Sequence, residues 1–247
     1  MNYAIQILGI SFFGESVQRC YDVLNQNGGL LTAPSGPGLA NTLKDALYYE
    51  SVRNSDIVIP DSGYMVLLWN VLHRPRIQRV SGLAFINYFV SIYANELNQR
   101  LLLVNPTWEE QSANILYLRA MGIKVSEKDC YIAPFYKNGQ VEDEQLCALI
   151  EQRKPTWVLI NIGGGTQEIL GYYLKKHLSY LPAIVCTGAA IAFKTGEQVA
   201  IPVWADRLYL GWLFRILSSP KKYYSRYLNA LPLAKLIWKY GEKEVVT

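Results

Sequence analysis

Short, wholly apolar runs alternate along the chain with longer stretches of mixed character. Ala4–Ile10, Leu30–Thr32, Ile57–Ile59, Arg100–Val104, Ile123–Ser126, Trp157–Ile162 and Ala183–Thr187 read as strands. Helical segments fall between them: Ser16–Gln26, Gly38–Ser51, Tyr64–Leu72, Gly82–Asn98, Thr107–Met121, Glu142–Arg153 and Ile169–Leu178. Apolar strands that alternate with helices predict an α/β fold, a Rossmann-like, mostly parallel sheet with helices on both faces. Sheets of this kind bind ligands beyond the carboxyl ends of their strands. Past about residue 195 the pattern changes. Asp206–Leu217 and Tyr223–Tyr240 read as helices that mix aromatic, aliphatic and basic residues, parted by Ser218-Ser219-Pro220. The expected organisation is an α/β domain over residues 1–195 and a basic, amphipathic helical appendage over 196–247.

Half of the 247 residues are hydrophobic and 18% are charged, which suits a well-buried core and excludes a disordered chain. The formal charge is +4, and it is unevenly placed. Residues 201–247 hold eight basic and three acidic side chains, so the tail is +5 and the remainder −1. Such asymmetry points to an anionic partner for the tail. In the tail Leu208, Leu210, Trp212, Leu213, Ile216 and Leu217 interleave with Arg207 and Arg215, and Lys221, Lys222 and Arg226 follow. That is the composition of a membrane-surface helix, and equally of a helix packed on the core with its charges in water.

The four cysteines are widely spaced, no Cys-x-x-Cys occurs, and there are only two histidines, which argues against a zinc site and for reduced, buried thiols. The start MNYAIQILGI lacks the basic beginning and long apolar region of a signal peptide, and no apolar stretch reaches the ~20 residues of a transmembrane helix. A cytosolic chain is expected, with no cofactor and no nucleic-acid partner.

Three segments could carry chemistry. Asp61 follows a buried strand and precedes Ser62-Gly63, where a carboxylate serves either as a general base or as a helix N-cap. Gly163-Gly164-Gly165-Thr166-Gln167-Glu168 follows another buried strand and opens a helix, which suits close backbone approach to a phosphate or simply a tight turn. Thr32 and Ser35 follow a third strand and either face the same crevice or make ordinary turn bonds. No Asp-x-Asp pair is present to hold a metal against a nucleotide diphosphate, and Glu142-Asp143-Glu144 reads as a solvated first helical turn. A dinucleotide fingerprint is missing after the first strand, which argues against a Rossmann-like nucleotide-dependent enzyme of another class.

Six segments in register, SDIVIPDSGYMVLLW, RPRIQRVSGL, INIGGGTQE, GAAIAFKTG, IPVW and GWLFRILSSPKKYYSRYL, resemble the WecG/TagA/CpsF family of bacterial glycosyltransferases (glycosyltransferase family 26) from Leu8 to Leu228. The resemblance implies an inverting, metal-independent transfer of a hexose or N-acetylhexosamine. The donor would be a UDP-sugar and the acceptor a polyprenyl-diphosphate-linked sugar, at the inner face of the bacterial membrane. It implies Asp61 as the base with Thr32 beside it. Gly163, Gly164, Gly165, Gln167, Glu168 and Gly188 fall at the nucleotide-sugar site, and Arg79, Arg215, Lys222 and Arg226 at the acceptor diphosphate. It leaves room for a homo-oligomer. Departures from the family pattern are Ser62 for Gly, Gln78 for Glu, Gly165-Thr166 for Pro-Lys, Gly211 for Glu, and Ala84 and Ala192 for Asp. They leave a non-catalytic member that docks on a lipid-linked sugar or partner enzyme as the alternative.

Overall fold

Ala4–Ile7 (β1) and Ile10–Phe13 (β2) pair antiparallel, because Leu8 (φ 56°) and Gly9 (φ 73°) reverse the chain through left-handed backbone. The single strand expected over Ala4–Ile10 is thus a hairpin. The computed structural model describes residues 4–95, 100–136, 141–188, 190–191, 214 and 217–245. The chain continues through Val17–Asn27 (α1), Gly29–Thr32 (β3), Gly36–Ala40 (α2), Ala46–Arg53 (α3), Ile57–Val58 (β4), Gly63–Leu72 (α4) and Gly82–Tyr93 (α5). Leu101–Asn105 (β5), Trp108–Ala120 (α6), Cys130–Ile132 (β6), Glu144–Arg153 (α7), Trp157–Ile160 (β7), Thr166–His177 (α8) and Ala183–Cys186 (β8) follow. Pro220–Leu228 (α9) and Pro232–Tyr240 (α10) complete the described elements.

The strands form one sheet in the order β1-β2-β4-β3-β8-β7-β5-β6, parallel everywhere except β1–β2. Alternate strand residues face two cores. Leu30, Val58, Val104, Ile160 and Ile184 meet apolar residues of α3, α4, α7, α8 and α10 on one face. Leu31, Ile57, Leu103, Leu159 and Val185 meet α1, α5 and α6 on the other, where the Tyr21 and Trp157 rings stack at 5.0 Å. After β3 the chain adds β4 on one side. The crossover through α4 and α5 then starts the other half, which closes back onto β3 through β8. The order therefore reverses around β3 and β8, the place where open α/β sheets hold ligands. Gly171 lets α8 lie close on these strands, since a Cβ there would stand 2.7 Å from Leu30 Cδ1 and 2.8 Å from Cys186 Sγ.

Other expectations are revised, and the single helix expected over Gly38–Ser51 is two, α2 and α3. Ile123–Ser126 is not a strand; Ile123 and Val125 are buried, but the edge strand is β6, four residues further on. Asp129 accepts both the N–H (2.8 Å) and the hydroxyl (2.7 Å) of Ser126, which turns the chain before it can pair. The acidic run is solvated at Glu142 and Glu144, as expected, but not at Asp143. Asp143 is buried, caps α7 through the Leu146 N–H at 2.9 Å, and accepts the hydroxyls of Tyr131 (3.0 Å) and Tyr136 (2.6 Å). Burial and the Asp143 carboxylate push both phenols up from their ordinary range. Finally, the helix expected over Tyr223–Tyr240 breaks before Pro232, which lacks the N–H to continue it.

The predicted boundary at 195/196 and most of Asp206–Leu217 lie outside the described residues. Leu233, Leu236 and Ile237 of α10 are buried in the same core as Met65, Val66 and Trp69 of α4. The Leu8 and Gly9 N–H groups donate to the Gly241 and Glu242 carbonyls at 2.8 and 3.2 Å. Among the described residues no helix is long and apolar enough to cross a membrane.

All four cysteines are free thiols; Cys20, Cys130 and Cys186 are buried and Cys147 is half-buried. Burial pushes the Cys20 and Cys130 thiols up to about 12. At pH 8 the native chain should therefore react slowly with a thiolate-selective disulfide reagent and all four thiols should react on unfolding. Between the unfolded thiol value of ~8.5 and about 12 the unfolded chain releases protons that the native chain keeps, so stability should fall as pH rises through that window. Rapid native labelling of Cys20 or Cys130, read by mass spectrometry, would contradict the buried placement.

Candidate functional site

Beyond the carboxyl end of β4 the chain reads Ile59-Pro60-Asp61-Ser62, and Ser62 settles which residue caps α4. Its Oγ accepts the Met65 N–H at 3.2 Å. Asp61 is left free of the capping role, and its carboxylate turns instead to the segment before and at the start of α5. There Asp61 Oδ1 accepts the Gly82 N–H at 3.2 Å and lies 3.5 Å from an Arg79 guanidinium nitrogen. Arg79 Nε also donates to the Asp61 carbonyl at 2.7 Å, so the arginine grips this residue at two points. About a third of the Asp61 side chain is exposed (32%), enough for a ligand hydroxyl to reach it. Ser81 caps α5 through the Ala84 N–H at 3.1 Å, which fixes the helix start that faces Asp61.

From Gly82 the contacts run on to the neighbouring strands. A Cβ on Gly82 would meet Thr187 at 3.1 Å, just past β8. The adjacent Gly188 (φ 65°) donates its N–H to Gln167 Oε1 at 2.8 Å. Gln167 Nε2 in turn donates to Glu168 Oε1 at 3.0 Å, and the Gly165 N–H donates to Glu168 Oε2 at 2.7 Å. Asp61, Arg79, Gly188, Gln167, Glu168 and Gly165 therefore belong to one connected edge over the ends of β4, β3, β8 and β7. On the far side Ser35 caps α2 through the Gly38 N–H at 3.3 Å, and a Cβ on Gly36 would stand 3.1 Å from Ser62 Oγ.

Gln167 and Glu168 are both 2% exposed. Their hydrogen bonds tie the Gly165 and Gly188 loops together. Glu168 also fills part of the anion site that the start of α8 offers, since its carboxylate takes the Gly165 N–H. The open surface is the glycine run itself. Gly165 needs its glycine for φ 96°, but Gly163 and Gly164 have no such backbone demand, and a Cβ on either would touch nothing within 4 Å. Both are exposed, which leaves their backbone approachable.

Thr32 is not brought to this edge as a reacting group. It is fully buried, and its hydroxyl donates to Ser55 Oγ at 3.1 Å, on the side of α3. Lys222 and Arg226 lie on α9, and Arg215 lies outside the described residues. Sequence reasoning passed over Ser62, Gly82 and Thr187, which hold the Asp61 and Gly188 loops. It also passed over a buried amide cluster beyond β5 and β7, where Asn105 Oδ1 accepts from Asn114 (2.8 Å) and Asn161 (3.3 Å). The Ser-Gly pair ahead of an apolar helix was the available signal for the first of these. Among the described residues no three His, Cys, Asp or Glu side chains converge.

The sequence profile of the glycosyl transferase WecG/TagA/CpsF family matches residues 5–244. Two curated relatives, from Bacillus spizizenii (strain W23) and Bacillus subtilis (strain 168), are each named N-acetylglucosaminyldiphosphoundecaprenol N-acetyl-beta-D-mannosaminyltransferase. The first is 23% identical over 208 residues, 81% of this chain and 76% of its own length. The second is 24% identical over 204 residues, 80% of this chain and 75% of its own length.

Proposed function

The chain belongs to the WecG/TagA/CpsF family of glycosyl transferases, and from that premise we propose that it moves a hexose or N-acetylhexosamine from a UDP-sugar to a polyprenyl-diphosphate-linked sugar, with inversion and without a metal. The observation that carries this is the Asp61 carboxylate, partly exposed at the carboxyl end of β4 and aimed by Arg79 and the Gly82 N–H. The acceptor hydroxyl gives its proton to Asp61 as its oxygen attacks the anomeric carbon. The bond from that carbon to the UDP oxygen breaks on the opposite face, and the electron pair leaves with UDP. The exposed backbone of Gly163 and Gly164 receives the departing diphosphate, and Gln167 and Glu168 hold those loops in place. Arg79, Arg215, Lys222 and Arg226 hold the diphosphate of the acceptor, and the basic tail lies against an anionic membrane surface. The relatives' names supply the acceptor to try first, an undecaprenyl-diphosphate-linked N-acetylglucosamine.

A panel of UDP-hexoses and UDP-N-acetylhexosamines, incubated with that acceptor in EDTA, tests the proposal by mass spectrometry. One donor should add a single sugar at a rate that EDTA leaves unchanged, and NMR should show the opposite anomeric configuration in the product. Transfer that disappears in EDTA would sink the metal-free mechanism. Absence of transfer from every UDP-sugar would sink the donor class.

A further inference from the structure

Helix α4 is apolar except at Asn70, whose amide is bonded to the Ile77 backbone, and at the Tyr64 hydroxyl, yet only one side of it is buried. Met65, Val66 and Trp69 enter the core, while Leu67, Val71 and Leu72 are 46%, 79% and 45% exposed. A helix of this composition belongs inside a protein or against lipid. The partner helix α10 leaves that face open. The two helices run side by side in the same direction. At one end a Cβ on Gly36 would lie 3.1 Å from Ser62 and 3.7 Å from Ala230; at the other, a Cβ on Gly241 would lie 3.2 Å from the His73 ring. Leu231, just before α10, and Trp238 on it are likewise 58% and 75% exposed. Five large apolar side chains on two adjacent helices thus face outward, more than scattered surface hydrophobics account for.

The charges carried by these two helices and by the turn past α4 are basic, while Asp61 precedes α4 and Glu242 and Glu244 are exposed just beyond α10. From Ser62 to Asn95 the sequence contains three arginines and no acid, and from Arg207 to Gly241 it contains seven lysines and arginines and no acid. Arg74 and Arg76 are exposed just past α4, and Lys235 and Lys239 are exposed on α10. Arg74 donates to the Asn70 and His73 carbonyls at 2.7 Å, which holds this cation against the helix end. Apolar side chains flanked mainly by cations match a bilayer leaflet with anionic headgroups.

We propose that the exposed face of α4, together with Leu231 at the start of α10 and Trp238 on it, inserts into an anionic membrane leaflet as a contact in its own right, separate from the basic segment that precedes α10. The inference rests on the proposed lipid-linked acceptor, and it explains how that acceptor reaches the site. Asp61 immediately precedes the start of α4, a helix of ten residues and therefore ~15 Å long. A leaflet in contact with α4 would deliver the diphosphate-linked sugar along the helix toward Asp61 and Arg79, without the lipid leaving the membrane.

The test is the triple variant Leu67→Gln, Val71→Gln, Leu72→Gln, in the full chain, against vesicles of phosphatidylglycerol with phosphatidylcholine. Partitioning should weaken on the order of 10-fold or more, at an unchanged melting temperature. Transfer to an acceptor embedded in the same vesicles should fall with it, while transfer to a short-chain, water-soluble acceptor diphosphate stays at the wild-type rate. Unchanged partitioning overturns the proposal. So does a wild-type dimer in sedimentation velocity that the variant converts to monomer with vesicle binding intact, because a second copy then covers this face. A wild-type chain that transfers to neither acceptor, yet loses vesicle binding in the variant, overturns the transferase reading and supports the membrane contact.

Discussion

Asp61→Asn should lower turnover by roughly 10²–10⁴-fold and leave UDP affinity within a factor of about 2 of the unsubstituted chain. The substitution keeps the size of the side chain and keeps an oxygen to accept the Gly82 N–H, so the start of α5 stays in place. It removes the group that can take a proton from the acceptor hydroxyl, and it removes the negative partner of Arg79. That ion pair is long, at 3.5 Å, and partly solvated, so its loss should cost little stability. The Arg79 Nε bond to the Asp61 carbonyl survives, because it goes to the backbone. A melting temperature measured beside the rate separates chemistry from folding. Turnover within about threefold of the unsubstituted chain would remove Asp61 from the proton transfer and leave it as a brace for Arg79.

The parallel strands at the centre of the sheet were legible because each is a continuous apolar run, and central strands buried on both faces tolerate nothing else. Ile57–Val58, Trp157–Ile160 and Ala183–Cys186 were located this way, and with them the loops that carry Asp61, Gly163–Gly165 and Gly188. The edges were less legible. Ile123 and Val125 alternate like a strand because they are buried under α6, while β6 is only three residues long and includes a tyrosine tied to Asp143. At the site, sequence could nominate residues but could not say which way they point. Thr32 has the right position in the chain, yet at the end of β3 its side chain falls on the α3 side of the sheet and bonds Ser55. Asp61 could have capped α4, and the neighbouring Ser62 takes that role only because its hydroxyl reaches the Met65 N–H. Gln167 and Glu168 lie buried, and their bonds to the Gly188 and Gly165 N–H groups, which no sequence pattern announces, support the loops.

Glu168→Gln should both weaken UDP binding and destabilise the chain, although it alters one atom of a side chain proposed not to touch the nucleotide. In the native arrangement Glu168 acts only as an acceptor, with Oε2 taking the Gly165 N–H and Oε1 taking Gln167 Nε2. Gln167 is oriented by that second bond, and its own Oε1 is thereby turned toward the Gly188 N–H. A glutamine at 168 offers one oxygen and one NH2 group. If the oxygen serves Gly165, the NH2 meets the NH2 of Gln167, and one of the two amides must rotate. If Gln167 rotates, the Gly188 N–H loses its acceptor; if the new side chain rotates, the Gly165 N–H loses the charged cap. Either way one buried or half-buried donor is left without a partner, which costs about 1–3 kcal/mol. A denaturant midpoint shift at constant slope would measure that loss. Because the disturbed segments are the Gly165 loop proposed to receive the diphosphate and the Gly188 loop tied to it through Gln167, UDP affinity should fall about 10-fold, equivalent to about 1.4 kcal/mol, by calorimetry on the folded fraction. Substitution of the exposed Leu116 on α6 by Gln is the matched control, and it should change neither quantity. A midpoint that shifts as expected while UDP affinity stays fixed would detach the Gly163–Gly165 loop from the nucleotide and place the diphosphate elsewhere along this edge.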